Sequence, residues 1–352
     1  MPEGTTAISS NNRYYGEVAY RPDALPLQAD QHEELNRSKL GQSASLRLPW
    51  GNTRDVVPPS FLSDHSPKTL RKLEKREDLA TKIGLQSENN HECFRYAPMA
   101  FRANFFNMMS IFGKLWVFLV TPVYLLIFLM LSPLIRNDGE TWSEYLQSII
   151  PLEFVLCFGG AILWLVSYLV FRLFTRWVLK AGRGPEWEIN RRTGMVKVWQ
   201  NPRKLPFLPA KPPVFIEKPF YEFDAWCCAR VDRHGSLFDL VLSHRYSKLD
   251  ITVGDILGSY GHPNMCYAFW DFIQNYMDVT RPLPDFPLIE KYRLLDPVTA
   301  EYDQKTGRPE RYWRDMDMDT FKKKVDRMHT DVTVIDTAQR RNLMAEKLRY
   351  AS

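Results

Sequence analysis

Apolar residues in this chain fall into continuous blocks, two-residue alternation and helical spacing. From Leu115 to Ile135 the sequence LWVFLVTPVYLLIFLMLSPLI runs 21 residues without a charge. As a helix rising about 1.5 Å per residue it covers about 30 Å, the thickness of a bilayer core. From Pro151 to Phe171, PLEFVLCFGGAILWLVSYLVF carries a single charge, Glu153, at its edge. The blocks predict a two-helix transmembrane hairpin, because core helices of soluble proteins seldom run this long without a polar face. The Gly159-Gly160 pair lets the two helices approach closely. The connection 136–148 holds one Arg against Asp138, Glu140 and Glu144, whereas Arg95, Arg102 and Lys114 precede the first block and Arg172, Arg176, Lys180, Arg183 and Arg191 follow the second. By the positive-inside rule both termini lie in the cytoplasm. The first block follows a long polar N-terminus, so no cleavable signal peptide is expected.

After the second block the pattern changes to alternation. WEINRRTGMVKVWQ (187–200) predicts a β-hairpin turned at Thr193-Gly194, and FDAWCCARV with LFDLVLSHR predicts another, turned by DRHGS at 232–236. A strand near Lys248–Val253 precedes a helix over Asn264–Met277, where Met265, Phe269, Phe272, Ile273 and Tyr276 recur at helical spacing. The predicted fold class is therefore an α+β membrane protein: the transmembrane hairpin (93–180, spans 115–135 and 151–171) plus a small antiparallel β domain (185–280) closed by a C-terminal helix. That order suggests a pleckstrin-homology-like split barrel, an analogy of fold that carries no function. Residues 1–92 read as a largely unordered region, with apolar residues too sparse to show a period over the first 60 or so. It holds one short helix near 67–83, capped by Ser66 and begun by Pro67. Residues 281–352 read as a Pro-rich tail with helical stripes at Phe321, Val325 and Met328 and at Leu343, Met344 and Leu348.

Composition narrows the function classes. The 352 residues carry 46 Lys and Arg against 41 Asp and Glu, a net charge of +5, which is too mild for a dedicated nucleic-acid binder. At 45% hydrophobic and 13% aromatic the chain is not wholly disordered. Five cysteines, Cys93, Cys157, Cys227, Cys228 and Cys266, fit a reducing or intramembrane setting, and free thiols are expected. Phosphate-binding glycine loops, GxSxG, HExxH and paired CxxC motifs are absent from the sequence, so neither an enzyme nor a cofactor is expected. His262 and Cys266, with Cys227, His234 and His244, make a zinc site conceivable, although Cys266 also reads as a small core residue. Asp315, Asp317 and Asp319 have calcium-loop spacing but lack the glycine that follows, and an N-cap for the Phe321 helix is the better reading. Glu153 reads as an interfacial carboxylate.

Three phrases, WEINRRTGMVKVWQ directly after the hairpin, YAFWDFIQNYMD followed by RPLPDFP, and LLDPVTAEYDQKTGRPERYWRDM, resemble a family of bacterial two-span membrane proteins encoded near type VI secretion effectors. The resemblance covers residues 95–316. It implies an immunity or accessory protein of the bacterial inner membrane; the positive-inside reading makes 136–148 a short periplasmic loop. Its partners would be a toxin or effector encoded nearby, more readily a cytosol-acting one such as a nuclease, and membrane lipids, with no nucleic acid bound. Such a role needs a surface rather than chemistry, built from the aromatic and Arg anchors that interfaces favour. The candidates are Trp187, Trp199, Phe207, Trp226, Tyr246, Arg311, Tyr312, Trp313 and Arg314. For each aromatic the competing reading is core. The rival function is an inner-membrane scaffold or regulator whose β domain binds lipid headgroups or a signalling partner.

Overall fold

The structure, a computed structural model, describes residues 14–30, 45–74, 87–98, 101–135, 141–179, 185–200, 214–232, 235–253, 262–337 and 339–349. In chain order its strands are β1 (Ser45–Arg47), β2 (Glu88–Asn89), β3 (Cys93–Tyr96), β4 (Trp187–Asn190), β5 (Met195–Gln200), β6 (Val214–Pro219), β7 (Phe223–Asp232), β8 (Gly235–His244) and β9 (Asp250–Thr252). Its α-helices are α1 (Pro59–Ser63), α2 (Pro67–Glu74), α3 (Phe101–Leu115), α4 (Thr121–Ile135), α5 (Trp142–Leu173), α6 (Thr175–Leu179), α7 (Asn264–Met277), α8 (Pro297–Thr306) and α9 (Met318–Thr333). The fold is α+β with two antiparallel sheets, ordered β1-β7-β8-β9 and β2-β3-β4-β5-β6. The chain divides into two compact units, a body (Met1–Asp78, Gln86–Ala97, Gly184–Ser352) and a helical unit (Leu79–Leu85, Pro98–Arg183).

In the body, both hairpins form where alternation places them. Trp187 pairs with Val198 and Ile189 with Val196, which brings four apolar side chains to one face of the sheet. The turn needs Gly194: its φ is +74°, and a Cβ there would stand 2.1 Å from the Val18 carbonyl oxygen. The single small sheet expected from the sequence is nevertheless two sheets. The strand β3 precedes the helical insertion yet pairs with β4 after it, a long-range pairing that no local pattern reports.

Residues 14–30 and 45–74 are not unordered, contrary to the composition. Tyr20, Leu25, Leu48, Trp50, Val57, Leu62 and Leu70 belong to the same hydrophobic core as Phe94, Trp187, Phe220 and Phe269. Their spacing shows no period because most lie in irregular chain whose backbone is held by distant partners; β1, for example, is an edge strand on β7. The predicted boundary at 281 also cuts through one core, since Leu283, Phe286, Ile289, Trp313, Phe321, Met344 and Leu348 pack in it. The helix near 67 starts at Pro67, with the Ser66 hydroxyl accepting from the Thr69 amide at 3.3 Å; positions 75–83 lie outside the described residues.

The helix α7 occupies the predicted span but is buried all round from Ala268 onward. Its polar side chains face the chain termini rather than water. Asp271 accepts from Arg340 at 2.6 Å and from the Arg54 amide at 3.1 Å, Gln274 accepts from the Gly51 amide at 2.7 Å, and Asn275 donates to the Arg54 carbonyl at 2.7 Å. Burial raises the Asp271 carboxyl above the ordinary Asp range, against the lowering pull of Arg340.

In the helical unit, α3 continues through one π-helical turn (Trp116–Val120) into α4, and α5 packs antiparallel to α3. Ser167 donates to the Phe106 carbonyl at 2.5 Å. A Cβ on Gly113 would lie 2.8 Å from the Gly160 carbonyl oxygen, and one on Gly160 would lie 2.5 Å from the Trp116 Cβ. Among the described residues one helix is long and apolar enough to cross a membrane, Phe101–Leu131, and Phe158–Leu173 is a shorter apolar helix. The apolar helix thus begins well before the predicted Leu115. Its first turns contain Arg102 and Asn104 and include Lys114, so they fail a charge-free criterion while remaining mostly apolar. Lys114 has an aromatic partner within the unit, its ammonium 6.0 Å from the Trp164 ring. The Glu153 side chain lies outside the described residues.

Candidate functional site

Of the nine sequence-predicted contact residues, two belong to the core. Trp187 is buried and stacks on Phe94 and Tyr96 at 6.1 and 5.8 Å, because it stands on the inner face of β4. Trp313 is buried with its indole N–H donating to Asp285 at 2.8 Å, which ties the C-terminal region to the core. Trp226 and Tyr246 are half-buried in ties to the N-terminal chain. The Arg47 guanidinium lies 4.6 Å from the Trp226 ring, and the Tyr246 hydroxyl donates to the Ala29 carbonyl at 2.8 Å. Phe207 lies outside the described residues.

The remaining four divide between two surfaces. Arg311, Tyr312 and Arg314 flank a half-open groove of about 130 Å³ lined by Glu290, Arg293, Leu294, Asp303, Arg308 and Glu310 among others. Several of the lining charges are held in ion pairs. Arg293 donates to both oxygens of Asp303 at 2.7 Å, and Arg308 pairs with Asp285 at 2.7 Å. Glu290 accepts from the Trp313 amide and lies 3.2 Å from Arg314, while burial raises its carboxyl above the ordinary range. The rim is different. Arg308 and Lys324 sit 4.8 and 5.3 Å from the Tyr312 ring, Arg311 is exposed in a pair with Glu74, and Leu294, Leu295 and Tyr302 expose about half their surface on the same two elements, Pro287–Leu295 and α8. Exposed leucine, tyrosine and arginine side chains thus share this part of the surface with charges that are paired within the body. Sequence reasoning missed Leu294 and Leu295 at the end of the 3-10 element Pro287–Leu295 and Tyr302 on α8, because their exposure is set by packing between elements.

The second surface is at the end of β5 and β6, where Trp199 and Phe215 face each other with ring centroids 6.1 Å apart. Phe215 and Val214 were also missed, because VFIEKP opens on three consecutive apolar residues instead of alternating and shows itself as an edge strand only through its pairing with β5.

The zinc candidates do not converge. His262 is exposed, His244 is buried with its Nε2 2.9 Å from Glu222, and His234 lies outside the described residues. Cys266 packs in the core with Cys227, and Cys93, Cys227, Cys228 and Cys266 are buried free thiols. Among the described residues no group of three or more His, Cys, Asp or Glu is placed to hold a metal ion. Asp317 caps α9, its carboxylate accepting from the Asp319 and Thr320 amides at 3.1 and 2.8 Å.

Compared with known proteins, the chain matches no family model, no curated protein and no solved structure.

Proposed function

We propose that the chain is a membrane-anchored protein-binding module, with α3–α4 and α5 crossing the bilayer as a two-span hairpin and the body in the cytoplasm. In this reading it neutralises or handles a type VI secretion toxin that acts in the cytosol. The observation that carries the binding role is the groove beside Tyr312, where apolar and cationic side chains surround charges already neutralised internally. A partner docking there desolvates the rim without stranding a buried charge, the costly event at an interface. The anchoring role is supported by the apolar helix Phe101–Leu131 and its antiparallel neighbour, and the toxin role by the phrase resemblance. The four-strand run β3–β6, the three strands β7–β9 and then α7 follow the order of a pleckstrin-homology-like barrel, an analogy of fold alone.

The test is co-expression with the product of the adjacent effector gene. A stable complex and protection of the producer are expected, and the combined change Leu294→Asp with Tyr312→Ala should weaken both at least tenfold. A producer that survives deletion of this gene unharmed by its own effector sinks the immunity role.

A further inference from the structure

The register of the five-stranded sheet gathers at one end every strand terminus through which the body connects to the apolar helices. Tyr96 pairs with Trp187, Trp187 with Val198, and Val198 with Ile216. One row further out Trp199 pairs with Phe215, and the Trp199 amide donates to the Glu186 carbonyl at 2.9 Å, on the chain returning to the body. On the departing side, the apolar helix begins five residues beyond Tyr96 in the sequence, at Phe101.

The two faces of the sheet treat this end differently. On the inner face Tyr96, Val198 and Ile216 pack against the core. On the outer face a row of charges is closed on itself, Arg95 with Glu188 at 2.6 Å and Lys197 with Glu217 at 3.5 Å. That row stops one position short of the end, where the side chains become Trp199 and Phe215, the latter 52% exposed; Val214, at the strand's start on the other face, is 61% exposed. The segment joining β5 to β6, NPRKLPFLPAKPP, carries Arg203, Lys204 and Lys211 and no acid. Within the helical unit, Arg102 lies 4.7 Å from the Trp177 ring and Arg172 donates to the Tyr168 hydroxyl at 3.2 Å, so cations and aromatics also gather at the end of the helix pair that the chain enters and leaves. Aromatic side chains accompanied by cations are the composition of a bilayer interface on its anionic face.

We propose that this end of the sheet is a second membrane contact, in which Trp199, Val214 and Phe215 enter the headgroup layer of an anionic bilayer. The contact rests on the anchoring reading above. It would hold the body against the membrane, so that a partner approaches the groove from the cytosol.

The test uses the full chain in vesicles of phosphatidylcholine and phosphatidylglycerol, with an environment-sensitive fluorophore on Val214→Cys. A second labelled chain, Arg192→Cys, reports the opposite end of the same sheet. Unsubstituted protein carried through the labelling gives the background, since Cys93, Cys227, Cys228 and Cys266 are buried. Nitroxide lipids are expected to quench the label at 214 at least twofold more than the label at 192. Adding Phe215→Ser to the Val214→Cys chain should reduce that difference. Equal quenching at the two positions, in protein that stays in the vesicles through an alkaline carbonate wash, overturns the contact while leaving the anchor intact. Release of the protein by the wash overturns the anchor itself, and a label that responds only to an added effector protein assigns the patch to that partner instead of lipid.

Discussion

Arg191 and Arg192 are neighbours in sequence with opposite surroundings. Arg192 is half exposed, in a 2.9 Å pair with Glu92. Arg191 has no exposed surface: its guanidinium donates to Asp296 at 3.1 Å and to the carbonyls of Tyr276, Asp278 and Arg281 at 2.6 to 2.8 Å, while Asp296 also accepts from the Tyr15 hydroxyl and the Thr299 amide. One side chain thereby joins the β4–β5 turn, the end of α7 and the start of α8. Counted from the sequence it is one more positive charge flanking a span; in the structure it neutralises a buried carboxylate and has no contact with water. Arg191→Met leaves the buried Asp296 carboxylate without its cation and three carbonyls without this donor and is expected to cost about 3–5 kcal/mol, whereas Arg192→Met should change stability by no more than about 0.5 kcal/mol. Denaturant unfolding of the two variants, each in detergent, checks the contrast; equal losses would reject the assignment. Trp187 and Trp313 teach the same lesson, since aromatic type is shared by cores and interfaces and only burial distinguishes them.

At the scale of elements, the glycine pair in α5 was legible as a close-approach signal but not its division of labour. A Cβ on Gly160 meets Trp116 at 2.5 Å, while one on Gly159 meets nothing within 4 Å. Consecutive helical residues point about 100° apart, so only one of the two can face α3. Gly160→Leu is therefore expected to push α3 and α5 apart and Gly159→Leu to be tolerated. Spin labels at the exposed Met108 and Tyr168 would read a broadened, longer distance in the first variant and an unchanged one in the second. The hairpins and α7 were legible because period-2 and helical spacing are local properties of the chain. The polar face of α7 was misleading: Asp271, Gln274 and Asn275 look solvent-facing by type, yet they receive backbone and side-chain groups of Gly51–Arg54 and Arg340.

For the whole molecule, the terminal regions are structural where the structure describes them. Trp50 is fully buried among Tyr20, Phe220 and Trp270, its backbone amide donates to Asn342 at 3.1 Å and its backbone carbonyl accepts from the Leu343 amide at 3.0 Å, so the N-terminal and C-terminal regions meet at this one residue. A chain lacking residues 1–58 should fail to give a protease-resistant body, and Trp50→Ala alone should lower stability by about 3–5 kcal/mol; a truncated chain as resistant as the full one would contradict this. The candidate groove was legible only in part, through the cationic and aromatic ERYWRD segment, because its apolar rim is set by how Pro287–Leu295 and α8 pack. The sequence by itself determined the apolar blocks, the strand pairs joined by short turns, α7 and the caps of α2 and α9, all of which depend on neighbours within a few residues. Only the tertiary structure decided that β3 joins β4 across the helical insertion, that the termini complete the core, and which aromatics face solvent, because those outcomes depend on contacts between residues that the chain places far apart and that leave no periodic trace in either partner.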